Sequence, residues 1–239
     1  MDLTQKAWSY SSLKLYETCP YAFYLKYIEE VEEQPNAFAQ HGKFTHAILE
    51  RYFRGELYAF ELADVFEAEY ADNVTERFPF YNMAKSFYDK TLAYLQSFDG
   101  IDGEVIGIEQ QLESVIGGYK FIGFADLILR DETGIVIVDH KSKGSWKSKK
   151  ERADYMRQMY LYSHCVKEIY GEFPYKLVFN KFRAEQPLDE EKFNEEDYKA
   201  TIDWFSETIA KILSTDTWDC QLDSFYCSSL CGLGCIWGE

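Results

Sequence analysis

Proline is scarce in this chain, with five in 239 residues, and basic residues are outnumbered, 25 Lys and Arg against 41 Asp and Glu. No internal repeat or low-complexity stretch occurs, so neither a repeat array nor a flexible tether is expected. No apolar run approaches the ~20 residues a membrane-spanning helix needs. The first residues lack the basic-then-apolar pattern of a secretory signal, and the expectation is a cytoplasmic protein away from the membrane. The formal charge of −16 argues against a protein that coats nucleic acid in general, which would carry a broadly positive field. It leaves room for one that holds divalent cations, whose site must itself be acidic.

What is present is an ordinary globular balance, 46% apolar and 28% charged, with an unusual share of rings: 19 Tyr, 18 Phe and 5 Trp. Most of these rings are expected in the core, and a surplus suits stacking on unpaired bases. The length fits one domain over residues 1–239: a mainly helical part (1–100), an α/β core (101–215) and a Cys-rich tail (216–239). Six cysteines in a reducing compartment point to metal or clustered thiolates more than to disulfides.

Periodicity predicts helices over 9–33, with Ser11 or Ser12 as cap and a bend or restart at Cys19-Pro20, then over 38–53, 60–70 and 82–98. The period then changes to two. Strands are predicted over 104–115, 119–130 and 135–141, separated by Gly117-Gly118 and by Asp131-Glu132-Thr133-Gly134. A helix over 151–170, a strand over 175–182 and a helix over 195–213 follow. Runs such as Glu29-Glu30-Val31-Glu32-Glu33 and Asp189-Glu190-Glu191 read as solvated faces and loops. The order describes a mixed α/β fold with helices packed on a sheet.

The segment Ile135-Val136-Ile137-Val138 reads as a strand buried on both faces, and at its end Asp139 and Lys141 point to the same side. Asp126 is predicted to share a face with Ile122, Phe124 and Ile128, an acid among apolar neighbours that coordination to a cation would offset. If the two strands pair as a hairpin, Asp126 and Asp139 converge. Together they would bind Mg²⁺ or Mn²⁺, with Lys141 placed for phosphodiester chemistry. Glu109 on the preceding strand is positioned to accept a Lys, a water or the metal. Gln158 and Tyr162, four apart on a helix, share one face; they are either site residues or polar tips at the edge of the core. His46 reads as a core histidine or as a ligand, and Glu50 as a partner of Arg54. From Lys141 to Arg157 the chain holds five Lys and two Arg. Lys143, Lys147, Lys149, Lys150, Arg152 and Arg157 therefore form either a solvated helix start or a set of phosphate contacts.

Gly123-Phe124-Ala125-Asp126, then Asp139-His140-Lys141, then Gln158-Met159-Tyr160-Leu161-Tyr162 resemble the RecB-type branch of the PD-(D/E)XK nuclease superfamily. Gly42-Lys43-Phe44-Thr45-His46, Glu109 and the opening Ser9-Tyr10-Ser11-Ser12-Leu13 extend the likeness along nearly the whole chain, in order. The resemblance implies a restriction-endonuclease-like α/β core and Mg²⁺- or Mn²⁺-dependent hydrolysis of DNA at strand ends or in single strands. It further implies that His46, Asp126, Asp139 and the carbonyl of His140 ligate metal and that Lys141 is catalytic. The same branch includes nuclease-fold subunits that assemble with protein partners in recombination or CRISPR adaptation.

Cys227, Cys231 and Cys235 form a C-x3-C-x3-C run among glycines. With Cys19-Pro20 they resemble the iron–sulfur subset of that branch, AddB-like and CRISPR-adaptation nucleases, in which one N-terminal and three C-terminal cysteines hold a 4Fe–4S cluster. This chain departs from the subset's usual C-x2-C-x5-C spacing. Structural Zn²⁺ is the alternative occupant, and Cys220 a rival fourth ligand. Cys165 is expected simply as a small buried residue.

Overall fold

Continuous β-branched character at Ile135–Val138 produces the innermost strand of a five-stranded sheet, in the order β1-β2-β3-β4-β5. The structure, a computed structural model, describes residues 3–221 and 224–233. The strands are β1 (Glu104–Ile116), β2 (Tyr119–Arg130), β3 (Ile135–Lys141), β4 (Lys176–Lys181) and β5 (Leu188–Lys192). Only the β3–β4 pair is parallel. Among the described residues the α-helices are α1 (Tyr10–Thr18), α2 (Pro20–Tyr27), α3 (Ala37–Phe53), α4 (Leu62–Asn73), α5 (Tyr81–Ser97), α6 (Lys149–Tyr170), α7 (Glu195–Leu213) and α8 (Ser224–Ser229). None of the described helices is long and apolar enough to cross a membrane.

Strand β3 is buried on both faces because the crossover helix α6 and α3 cover opposite sides. Ile135 and Ile137 pack into the core that also holds Met159 and Val166 of α6 and Phe205 of α7. Val136 and Val138 face the other way, where Phe53 of α3 packs. The β1–β2 hairpin closes on Gly117 and Gly118, both at positive φ (56° and 87°), as a tight two-residue turn demands. The next turn closes on Asp131, whose Oδ1 accepts from the amides of Thr133 (2.8 Å) and Gly134 (3.1 Å).

Three elements differ from the sequence expectation. The first predicted helix restarts at Pro20 as expected, with Cys19 in extended backbone (φ −158°, ψ 103°), but it ends at Tyr27 rather than Glu33. Ser9 is its cap, in reciprocal hydrogen bonds with Ser12. The acidic run 189–191 is no solvated loop but lies in β5, whose carboxylates meet Arg152, Lys176 and Lys181. The tail also contains the short helix α8.

His41 on α3 is fully buried, with Nδ1 3.1 Å from the Tyr70 hydroxyl and Nε2 2.9 Å from Thr91 Oγ1. Burial pulls its pKa down to about 3, and Arg183's charge adds to the effect. The folded pKa lies below that of the unfolded chain, so protonation favours unfolding. This residue's stabilising contribution is complete above about pH 6.5 and is lost as pH falls from there toward about 3. We expect the stability difference between wild type and His41→Gln to shrink by up to ~1.4 kcal/mol per pH unit across that window. Denaturant midpoints taken from pH 7 to pH 5 check this; parallel pH profiles would exclude a buried neutral His41.

Candidate active site

The site forms where β2 and β3 separate. Their ladder runs from Arg130↔Ile135 to Leu127↔Val138 and goes no further. The amide of His140, left without a β2 carbonyl, donates instead to Asp126 Oδ2 at 2.6 Å. Strict alternation would put Ala125, Leu127 and Leu129 on one face. Instead Ala125 and Ile128 enter the core with α6, while Leu127 and Leu129 enter the core with Phe53. The alternation therefore slips across Asp126, and opposite it Glu109 has left-handed backbone (φ 45°). That conformation costs a non-glycine residue of order 1–2 kcal/mol. The expected grouping of Asp126 with Ile122, Phe124 and Ile128 on one face is thus corrected: Phe124 is 49% exposed and Ile128 fully buried.

The slip brings Asp126 and Glu109 to His46, which α3 presents one turn beyond Gly42. One ligand atom from each of His46, Glu109 and Asp126 lies within 4.8 Å of the others. Burial lowers the His46 pKa to about 4, leaving the imidazole neutral with a lone pair to give. Burial and the neighbouring Asp126 push Glu109 up to about 7. Burial likewise raises Asp126, against the pull of Lys141. Packed carboxylates short of positive charge are what a divalent cation would relieve.

Beside this cluster, Asp139 is 2% exposed and its Oδ2 lies 2.6 Å from the Lys141 ammonium. Lys141 occupies one side of this buried oxygen, and a carboxylate oxygen keeps a second lone pair for another partner. Burial and Asp126 raise the Asp139 carboxyl, while Lys141 opposes them. Burial would lower Lys141, but Asp139 and Asp126 outweigh it and hold the ammonium above its ordinary value. Lys141 Nζ also donates to Gln158 Oε1 (3.0 Å), and Gln158 Nε2 donates to the Tyr162 hydroxyl (2.7 Å). Gly123 gives Tyr162 its room: a Cβ there would sit 2.5 Å from Tyr162 Cε1. The two helix residues therefore form one chain ending on Lys141. The His140 ring lies 3.0 Å from Asn180 Nδ2, stacked on Phe53 and edge-on to the His46 ring at 5.6 Å between centroids.

The family model of the PD-(D/E)XK nuclease superfamily matches residues 7–235. The chain belongs to that superfamily. The mixed sheet flanked by helices is its restriction-endonuclease-like fold. A candidate exonuclease from Eubacterium rectale has a similar fold: TM-score 0.53 at 11% identity, covering 92% of this chain and 87% of that one. A second solved structure, of SSO0001, is 22% identical over 46% of this chain and 52% of that one, with a TM-score of 0.30, too low to bear on the fold. No curated protein matches.

Around this superfamily site, the basic segment divides. Arg152 is held by Asp189 and Glu191, each at 2.8 Å, and Arg157 by Glu17 (3.4 Å) and Asp154 (3.5 Å). Lys143 pairs with Glu151 at 2.8 Å, its ammonium beside the Trp146 and Tyr155 rings. Lys147, Lys149 and Lys150 are exposed and form no ion pair among the described residues. Tyr155, missed in the sequence, stands 5.4 Å from the Lys141 ammonium. Its signal was available, three positions before Gln158 on the same helix face.

Cys19 and Cys231 are buried together, with Cys220 packed against them. Cys227 lies near enough to raise the Tyr226 hydroxyl, along with burial, Cys231 and Cys19. The amides of Ala22 (3.4 Å) and Gln221 (3.5 Å) point at Cys19 Sγ. Among the described residues no three sulfurs lie within 4.8 Å of one another, and Cys235 falls outside the described residues.

Proposed function

We propose that this protein is a Mg²⁺- or Mn²⁺-dependent deoxyribonuclease acting exonucleolytically on single strands or strand ends, with an iron–sulfur cluster at its cysteines. The reading rests on one observation. Asp139, buried and paired with Lys141, stands between the Lys141–Gln158–Tyr162 chain and the His46–Glu109–Asp126 group. His46, Glu109, Asp126, Asp139 and the His140 carbonyl would hold the metal; a neutral imidazole, carboxylates and a carbonyl are the hard donors such a cation takes. The cation supplies Lewis-acid polarisation of the phosphate and acidifies water.

The protein's own groups do the rest. Lys141 is anchored on both sides, by Asp139 and by Gln158, so its ammonium keeps one direction and can donate to negative charge developing on the phosphate. Gln158 fixes that direction, and Tyr162 fixes the Gln158 amide. Lys147, Lys149 and Lys150 would contact flanking phosphates, whereas Arg152 and Arg157 must first leave their carboxylate partners.

End-labelled single-stranded DNA incubated with Mn²⁺ is expected to shorten stepwise from an end, and a chelator to stop it. Cutting of circular single strands would remove the exonuclease assignment. An absence of any hydrolysis would favour the other reading, an assembly subunit whose −16 charge suits a basic partner in recombination or CRISPR adaptation.

A further inference from the structure

A cavity of about 560 Å³ opens beside the site, between α5 and the β4–β5 turn, and Lys90, Lys181 and Arg183 reach it. Glu185 is the only acid lining it among the described residues, and of the three cations Lys181 already has its ammonium 3.5 Å from Asp189, leaving Lys90 and Arg183 without a carboxylate partner there. Arg183 is the unusual member. It is half-buried, forms no ion pair among the described residues, and lies 3.4 Å from the centre of the Phe87 ring. One of its amino groups donates to the Ser142 carbonyl (3.0 Å), but its buried Nε has no partner. A desolvated guanidinium without a counter-charge is costly, and an anion in the hollow would offset that cost. Burial pulls this group down to about 10, which expresses the same deficit.

The hollow is tied to the site by short connections. Gly144 lines it three residues after Lys141, so their Cα atoms are at most ~11 Å apart. The amides of Phe182 and Arg183 donate to the carbonyls of Lys141 and Lys143. Tyr94, on the cavity wall, accepts from Asn180, whose same nitrogen meets His140.

We propose that this cavity receives a phosphate of the nucleic-acid strand, within a few nucleotides of the bond to be cut. Arg183 would supply positive charge and the amino donors not engaged by Ser142. Lys90 would close over the charge, whereas Lys181 would first have to leave Asp189. The proposal rests on the nuclease reading above and names a substrate contact for it.

The test is binding of a fluorescent single-stranded oligonucleotide to the full chain in Ca²⁺, over a range of salt. Arg183→Gln and Lys90→Gln are each expected to weaken binding about 10-fold, the worth of one charged hydrogen bond. Each should also lower the slope of log K against log salt by about 0.7. Lys199→Gln, on the far helix α7, serves as the control for general charge. In hydrolysis the loss should fall on KM more than on kcat. Strands with 5′-phosphate, 3′-phosphate or hydroxyl ends separate the sources. A penalty confined to one phosphorylated end assigns a terminal phosphate; an equal penalty on all assigns the backbone, and both support the proposal. Lys90 is exposed, so its replacement disturbs no packing, and an unchanged slope in Lys90→Gln alone overturns the proposal. So does an equal loss in Lys199→Gln. If wild type still degrades DNA in either case, the nuclease reading survives without the cavity.

Discussion

Lys141→Met is expected to slow strand hydrolysis by about 10³-fold, the usual cost of losing one preorganised donor to transition-state charge. Met keeps most of the lysine stem's volume and removes only the ammonium. His46, Glu109 and Asp126 remain grouped, so Mn²⁺ binding measured by calorimetry should persist in this variant. Asp139→Asn should instead lose both, because the second lone pair of its carboxylate oxygen is its contribution to the cation. Lys141→Arg is not expected to rescue: a planar fork cannot reproduce one ammonium shared between Asp139 and Gln158. A second effect separates position from chemistry. Without Lys141 the buried Asp139 carboxylate has lost its ion-pair partner, a change that costs about 3–5 kcal/mol in a dry interior. The variant should therefore melt early in chelator and recover when Mn²⁺ is added. Hydrolysis within 10-fold of wild type would remove Lys141 from the chemistry.

The parts of this site that the sequence displays are those set by local rules. Strand β3 is legible because a strand covered on both faces must be apolar and β-branched throughout, so the two polar residues that end it stand out. The β1–β2 hairpin is legible because Gly-Gly readily accepts the two successive positive φ values of a tight turn. Asp126 is where local reasoning fails. Its face is decided by the left-handed backbone of Glu109 on the neighbouring strand, and no period-two count of β2 contains that information. The acidic run in β5 fails for a similar reason, since its partner Arg152 lies 37 residues from Asp189. Arg157 reads as a solvated cation until Glu17, 140 residues away, is folded against it. Arg183 is unremarkable in sequence; burial on Phe87 gives it meaning.

Cys19→Ser carries the second large expectation: loss of bound iron and a fall in Tm of about 10 °C or more. The chain around Cys19 meets the tail through the Trp218 ring, which packs on Tyr16, Phe23 and Tyr24, and through backbone contacts. Tyr21 N donates to Asp219 O at 3.2 Å and Gln34 N to Gly232 O at 2.7 Å, beside the small cluster of Cys19, Ala22, Cys231 and Leu233. Gly232 is required there, at φ 64° with no space for a Cβ against Gln34 O. A metal group shared by Cys19 and Cys231 would close a loop of most of the sequence, removing roughly 5 kcal/mol of unfolded-state entropy. At about 2–4 °C per kcal/mol for a chain of this size, losing it gives the expected shift. Protein purified without oxygen should be brown and contain iron; zinc in its place would keep the staple and change its identity. Cys165→Ala is the matched control, since Cys165 is buried against α7 and the sheet, away from the tail. It should keep the colour while losing only packing energy. Metal retained by Cys19→Ser, or equal iron loss in both variants, would show that the cysteines at the two ends of the chain share no metal.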